Sequence, residues 1–184
     1  NHLSNSLLDL ARLTRESDSF TMSKVRLDEV LWETREKVLA IDPSYKIEVE
    51  SLTMPEDESL LYVNGNPYLL RTAFQNILEN ACKFSGEGKA QISLKCQKNE
   101  LVITVTDNGP GIEKKDIENV FQPFFRTDAT SKVKGYGVGL SLSQRIISIH
   151  KGKISIKSTP GMGTMVSITL SSSLGKWATP LRII

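Results

Sequence analysis

The sequence predicts an α+β protein, a two-layer α/β sandwich with a mixed sheet of about five strands covered on one face by about three helices. Two observations carry this. Apolar residues recur at helical spacing in separate stretches, and several short stretches alternate at period two. The helices fall to one side of the strands, which argues against a doubly wound parallel sheet.

Leu3, Leu7, Leu10 and Ala11, flanked by Leu8 and Leu13, predict an amphipathic helix from residue 2 to about residue 16. Its seam of about two heptads is too short for a coiled coil. The polar stretch from Ser17 to Ser23 reads as a linker. Leu27, Val30, Leu31, Val38 and Ile41 predict a second helix over 27–41, ended by Asp42-Pro43 because the residue before proline is pushed out of the helical region. Lys46 to Ser51 alternates and Leu60 to Val63 is a short apolar run, so both read as strands. Asn66-Pro67 opens a strong helix, with Asn66 as N-cap and proline at the first helical position. Its stripe is Leu70, Ala73, Phe74, Ile77, Leu78 and Ala81, and it ends near Ser85-Gly86. Strands follow at about 90–97 and 100–107, then a helix over 139–150. The last two strands, 153–158 and 165–170, flank the turn Pro160-Gly161-Met162-Gly163. There is no internal repeat.

At 184 residues the chain suits one domain of ordinary size with an appended segment. A hydrophobic content of 39% with 24% charged residues is globular rather than disordered. The net charge of +2 gives no electrostatic reason for a nucleic-acid or membrane-surface partner. Cys82 and Cys96 have neither metal-ligand spacing nor the density of a secreted disulfide framework, so a reducing compartment is expected. No apolar run approaches a membrane span.

Four segments carry the chemistry. On the third helix, Asn76, Asn80 and Lys83 are spaced i, i+4, i+7 and project within an arc of roughly 60° at the edge of the apolar stripe. Amide oxygens suit a hard cation such as Mg²⁺ that shares phosphate oxygens, and a lysine suits phosphate as a point charge. A solvated helix face is the bland alternative. Alternation along Leu101, Ile103, Val105 and Asp107 puts a carboxylate at the end of an apolar row. It needs a donor, such as an adenine amine, and Gly109 and Gly111 let the backbone approach. Asp-Asn-Gly turn chemistry explains the glycine but not the facing of the aspartate. Gly135, Gly137 and Gly139 precede a helix whose free N–H groups attract phosphate. Leu140 stands where a dinucleotide fingerprint needs its third glycine, and no Gly-Lys-Ser/Thr follows, so neither that motif nor a P-loop is present. A ligand-free hinge is the alternative. Between them, Phe121, Phe124 and Phe125 precede Arg126, Lys132 and Lys134 in a stretch too irregular for core, which reads as a lid over 121–138: aromatics dock it and cations reach a terminal phosphate.

Together these segments resemble the asparagine box, first glycine box, phenylalanine box and second glycine box of the sensor histidine kinase catalytic domain, a member of the GHKL (Bergerat-fold) ATPase superfamily. Pro160-Gly161-Met162-Gly163-Thr164 resembles the remaining glycine-rich turn. The resemblance covers about residues 26 to 170 and implies ATP and Mg²⁺ as cofactors. It implies that Asn80 binds the metal, that Asn76 and Lys83 serve the phosphates, and that Arg126 assists at the γ-phosphate. Phe84 would flank the adenine and Asp107 receive its amine. Gly109, Gly111, Ile112, Phe121, Lys134, Gly135, Gly137, Gly139, Leu140 and Thr164 would complete the nucleotide site.

By the same resemblance, residues 1–20 are the end of a dimerisation and phosphotransfer helix. Residues 21–45 are a linker and leading helix, 46–171 the catalytic domain, and 172–184 a tail with no assigned role. The implied partners are the phosphoacceptor hairpin of a longer, homodimeric parent and the receiver domain of a response regulator. The expected location is the cytoplasm, with room for an inner-membrane anchor elsewhere in the parent. Two departures sharpen this. The phosphoacceptor histidine box is absent, and His2 and His150 read as structural, so the expected reaction is transfer to a histidine outside the chain. ATP-hydrolysing relatives carry a water-activating glutamate four residues before the metal-binding asparagine, where this sequence has Asn76, which cannot act as a base at neutral pH. Hydrolysis, or a nucleotide-regulated interaction module, is the alternative.

Overall fold

The computed structural model describes residues 20–53, 55–127, 133 and 135–173. The helix expected at 2–16, together with Lys132, Lys134 and residues from 174 on, lies outside the described residues. Among the described residues, seven strands and three α-helices follow in the order β1 (Ser23–Arg26), α1 (Leu27–Ile41), β2 (Lys46–Thr53), β3 (Tyr62–Gly65), α2 (Pro67–Phe84), β4 (Lys89–Gln97), β5 (Glu100–Asp107), α3 (Gly139–Ile149), β6 (Lys153–Thr159) and β7 (Gly163–Ser171).

Five strands form one mixed sheet in the order β2-β4-β5-β7-β6, with β2 and β4 parallel and the other neighbours antiparallel. The central strand β5 has the pattern expected of a sheet with one covered face. Leu101, Ile103, Val105 and Asp107 are buried while the residues between them are half-exposed. Val166, Ile168 and Leu170 of β7 continue the same row. Against it lies α2, whose Leu70, Ala73, Phe74, Ile77, Leu78 and Ala81 are all buried at the helical period. Helices α1 and α3 pack on either side of α2, and this is the two-layer sandwich the sequence predicts. Asn66 caps α2 by accepting from the Leu69 N–H at 3.1 Å, with Pro67 at the helix start.

Two local expectations are corrected. The linker assigned to Ser17–Ser23 ends in a strand: β1 begins at Ser23 and pairs antiparallel with β3, making a second, two-stranded sheet. Four residues flanked by a helix offer too little alternation to be read as a strand; the pairing is tertiary. The apolar run at Leu60–Val63 is not all strand. Glu58–Leu61 is a 3₁₀ turn started by Asp57, whose side chain accepts from the Ser59 N–H at 3.0 Å, and the strand begins at Tyr62. At the other end Ser172 donates its N–H to the Asn99 carbonyl at 2.8 Å and bridges to Val63, so the packed domain runs through Ser172 and Ser173, both 5% exposed.

Candidate nucleotide-binding site

A cleft of ≈ 660 Å³ opens between the last turns of α2, the start of α3 and the ends of β5, β6 and β7. Asn76, Asn80 and Lys83 of α2 all line it. The helix turns its apolar stripe to the sheet and so presents this edge sideways, toward α3. The Asn76 Nδ2 is buried and has no hydrogen-bond partner among the described residues. An orphaned buried amide is a cost of about 1–3 kcal/mol, which a polar ligand would remove. Among the described residues no group of three His, Cys, Asp or Glu side chains converges to hold a metal. The Asn80 amide oxygen nevertheless fits Mg²⁺, which keeps waters and shares phosphate oxygens rather than requiring an all-protein cage.

The buried carboxylate at the other end is Asp107, 8% exposed. Its Oδ1 accepts the Gly109 N–H at 2.7 Å, and the Thr164 N–H also reaches the carboxylate. Burial still pushes its pKa above the usual carboxylate value, with the two backbone donors opposing. The surrounding loop is braced by the β6–β7 turn: the Gly161 N–H donates to the Pro110 carbonyl at 2.7 Å, and the Ile112 N–H to the Ser158 hydroxyl at 2.9 Å. The need for glycine here comes from close approach of that turn at Gly111 and of the end of α2 at Gly109. At Gly111, with φ +72°, a Cβ would lie 2.2 Å from the Thr159 carbonyl oxygen; at Gly109 it would lie 2.6 Å from that of Phe84. Apolar walls come from Ile77, Ala81, Ile112, Leu140, Ile156 and Val166.

Helix α3 begins at Gly139 with no side-chain cap on its first N–H groups, and a Cβ at Gly139 would touch Asn76 and the Asn80 amide at 3.6 Å. An uncapped helix N-terminus against two amides is an anion-accepting corner. Cations complete it. The Lys83 ammonium lies over the Phe84 ring at 5.2 Å, and its pKa is lowered, first by burial and then by Arg126. Arg126 lines the cleft and donates to the Gly135 carbonyl at 3.0 Å and to that of Val133, which ties it to the stretch just before α3. Phe125 faces the cleft, whereas Phe124, at φ +67°, is 60% exposed and does not dock the lid.

Of the residues singled out from sequence, the cleft gathers Asn76, Asn80, Lys83, Phe84, Asp107, Gly111, Ile112, Arg126, Gly135, Gly137, Gly139, Leu140 and Thr164. Gly109 is buried beneath the wall rather than in it, and Phe121 is half-buried outside it. Lys134 lies outside the described residues. Sequence reasoning missed Ile41, Asp42 and Tyr45, which the α1–β2 junction brings to the cleft. Nothing local signals them, because their place depends on how α1 packs on α2. A second groove of ≈ 470 Å³, between α1 and β2–β4 beside Trp32, contains none of the motif residues.

The comparisons with known proteins agree with this geometry. The family described as histidine kinase-, DNA gyrase B-, and HSP90-like ATPase matches residues 65–174. Among curated relatives, the sensor protein kinase WalK of Staphylococcus epidermidis is 30% identical over 95% of this chain and 29% of its own length. The adaptive-response sensory kinase SasA of Thermosynechococcus vestitus is 38% identical over 64% of this chain and 31% of its own. The chain therefore spans less than a third of these relatives. The solved structure of the mycobacterial sensor histidine kinase MprB has a TM-score of 0.69 at 26% identity, covering 82% of this chain and 97% of that one. Full-length ShkA, solved in complex with AMPPNP, has a TM-score of 0.77 at 21% identity and supports the fold. With the amide edge, the buried aspartate and the uncapped helix start assembled around one cleft, the chain belongs to the histidine kinase-, DNA gyrase B-, and HSP90-like ATPase family, and its relatives within it are sensor histidine kinases.

Proposed function

We propose that the domain binds Mg-ATP in this cleft and transfers the γ-phosphoryl group to a histidine on a separate helical segment of a longer, dimeric parent, for relay to a receiver-domain aspartate. Asp107 and Phe84 take the adenine, the former by accepting its amine. Asn80 supplies an amide oxygen to Mg²⁺, Asn76 fills its orphaned donor on the phosphates, and Lys83 with Arg126 offsets phosphate charge. Mg²⁺ held by Asn80 would supply positive charge to the phosphate oxygens; the bond between the γ-phosphorus and the departing ADP breaks as the new bond forms. An acceptor imidazole nitrogen forms the new P–N bond and gives its proton to solvent; this chain's residues position the donor and neutralise charge.

The single observation that carries transfer over hydrolysis is Asn76 at the phosphate end. Among the described residues, the acidic ones lining the cleft are Asp42, Glu79 and Asp107. Asp107 lies at the base end, and Glu79 accepts from the Gln75 amide at 2.6 Å. Among the described residues no carboxylate occupies the place from which water is activated in hydrolysing relatives. Incubation with γ-labelled ATP tests this. Label should appear on a histidine of a supplied acceptor hairpin, not on this chain, with little free phosphate. Rapid phosphate release without acceptor would favour the hydrolase, and tight binding without label on any acceptor would favour an interaction module.

A further inference from the structure

The geometry points to His150 as a positioning residue for the nucleotide: a neutral imidazole clasp at one end of the α2–α3 pair that holds the phosphate corner at the other end in register. This rests on the nucleotide reading above. The two helices run antiparallel and are tied at three levels. His150 meets Asn66 at one end, the Ser143 hydroxyl in the middle shares its proton between the Ala73 carbonyl across the pair at 3.1 Å and the Gly139 carbonyl of its own helix at 2.9 Å, and Gly139 lies against Asn76 and Asn80 at the other.

The chemistry of the partners fixes the ring's protonation. Nδ1 lies 2.7 Å from the Ile146 carbonyl, which can only accept, so Nδ1 carries the proton. Nε2 lies 3.0 Å from the Asn66 N–H, which can only donate, so Nε2 is bare. Protonation would set two N–H groups against each other. The ring has little space to withdraw, since a Cβ at Gly65 would already lie 2.8 Å from its Cδ2. Asn66 transmits the effect, because it caps α2 through Leu69 and donates from its side chain to the Thr21 carbonyl.

Burial lowers the His150 pKa below its ordinary 6.5. Among the described residues the groups acting on it are backbone: the Ile146 carbonyl on its own helix and the Asn66 N–H across from it. No charged or titratable side chain takes part. The sign follows. An opened clasp takes up a proton near pH 6.5 and the closed one only at lower pH, so acidification through that window favours opening. Nucleotide binding to the closed form must therefore weaken with acid, and bound nucleotide must lower the histidine's proton affinity in return.

The test compares Mg-ATP binding to this chain and to His150→Gln between about pH 5 and about pH 8. Glutamine offers an amide oxygen to the Asn66 N–H without titrating. Titration of ATP itself affects both proteins equally and cancels in their ratio. The parent's affinity relative to H150Q should fall by about three- to tenfold from the alkaline to the acid end. In the parent alone, the imidazole resonance missing from H150Q should titrate at lower pH once Mg-ATP saturates the chain. An affinity ratio constant with pH, or a midpoint unmoved by nucleotide, overturns the clasp. Absence of Mg-ATP binding by the parent at every pH overturns the nucleotide reading as well.

Discussion

Asp107 concentrates the tension between folding and function. A carboxylate 8% exposed, served by two backbone donors and no cation, is held above its ordinary pKa by burial. The fold thus disfavours its charge, while an adenine amine would favour it. Asp107→Asn should leave the melting temperature unchanged or raise it, by the equivalent of up to about 1 kcal/mol, while abolishing nucleotide binding. Thermal unfolding and calorimetric titration of the same sample check both. The pH dependence has the opposite sense for stability and for binding. A folded pKa above the unfolded one makes this group's contribution to stability grow as pH falls through the raised value, and protonation over that range removes the acceptor and weakens the nucleotide. The Cys82 thiol shows what burial does where no function is served. It is pushed up to about 12 by burial, then by Asp107, Glu79 and Asp42, and so should resist alkylation at neutral pH in the native protein while reacting freely once unfolded.

Among elements, the β6–β7 turn braces the loop that follows Asp107. Gly161 and Gly163 both have positive φ, but their surroundings differ. A Cβ at Gly161 meets nothing within 4 Å, whereas at Gly163 it would sit 1.9 Å from the Asp107 carbonyl oxygen. Gly161→Ala should therefore lose about 1 kcal/mol, the strain of the left-handed backbone alone, and Gly163→Ala distinctly more, with loss of nucleotide binding. Chemical denaturation of the pair separates conformational strain from collision. Similarly, Ser143→Ala removes the hydroxyl shared between the Ala73 carbonyl and the Gly139 carbonyl, and should lower stability by about 1 kcal/mol and nucleotide affinity with it.

How far these elements were readable in the sequence depends on the distance over which they are determined. The α2 start was legible because Asn66-Pro67 caps it locally, and β5 because Leu101 to Asp107 alternates against one covered face. The facing of Asp107 into the site followed from the same alternation. Strand β1 was not legible, since Ser23–Arg26 becomes a strand only by pairing with Tyr62–Gly65. Tyr45 enters the cleft through the packing of α1, and Phe124, with a φ of +67°, is exposed; neither leaves a periodic trace.

For the molecule as a whole, the core supports the cleft. Leu70, fully buried in the first turn of α2, packs in the cluster that joins all three helices to the sheet. Leu70→Ala should destabilise the domain by about 2–5 kcal/mol, read from denaturant unfolding. The walls of the cleft come from widely separated stretches, the α1–β2 junction, α2, the β5 end, the lid, α3 and β7, so the site exists only when the whole domain is folded. Ligand should accordingly raise the melting temperature in a concentration-dependent way.

Calorimetric titration of the intact chain with ATP, with and without Mg²⁺, alongside Asp107→Asn and Asn80→Ala, tests the central claim most directly. The account predicts saturable one-to-one binding by the parent, loss of binding in D107N, and loss of the Mg²⁺-dependent part of the affinity in N80A. A parent that binds no ATP, or variants indistinguishable from it, would contradict the account.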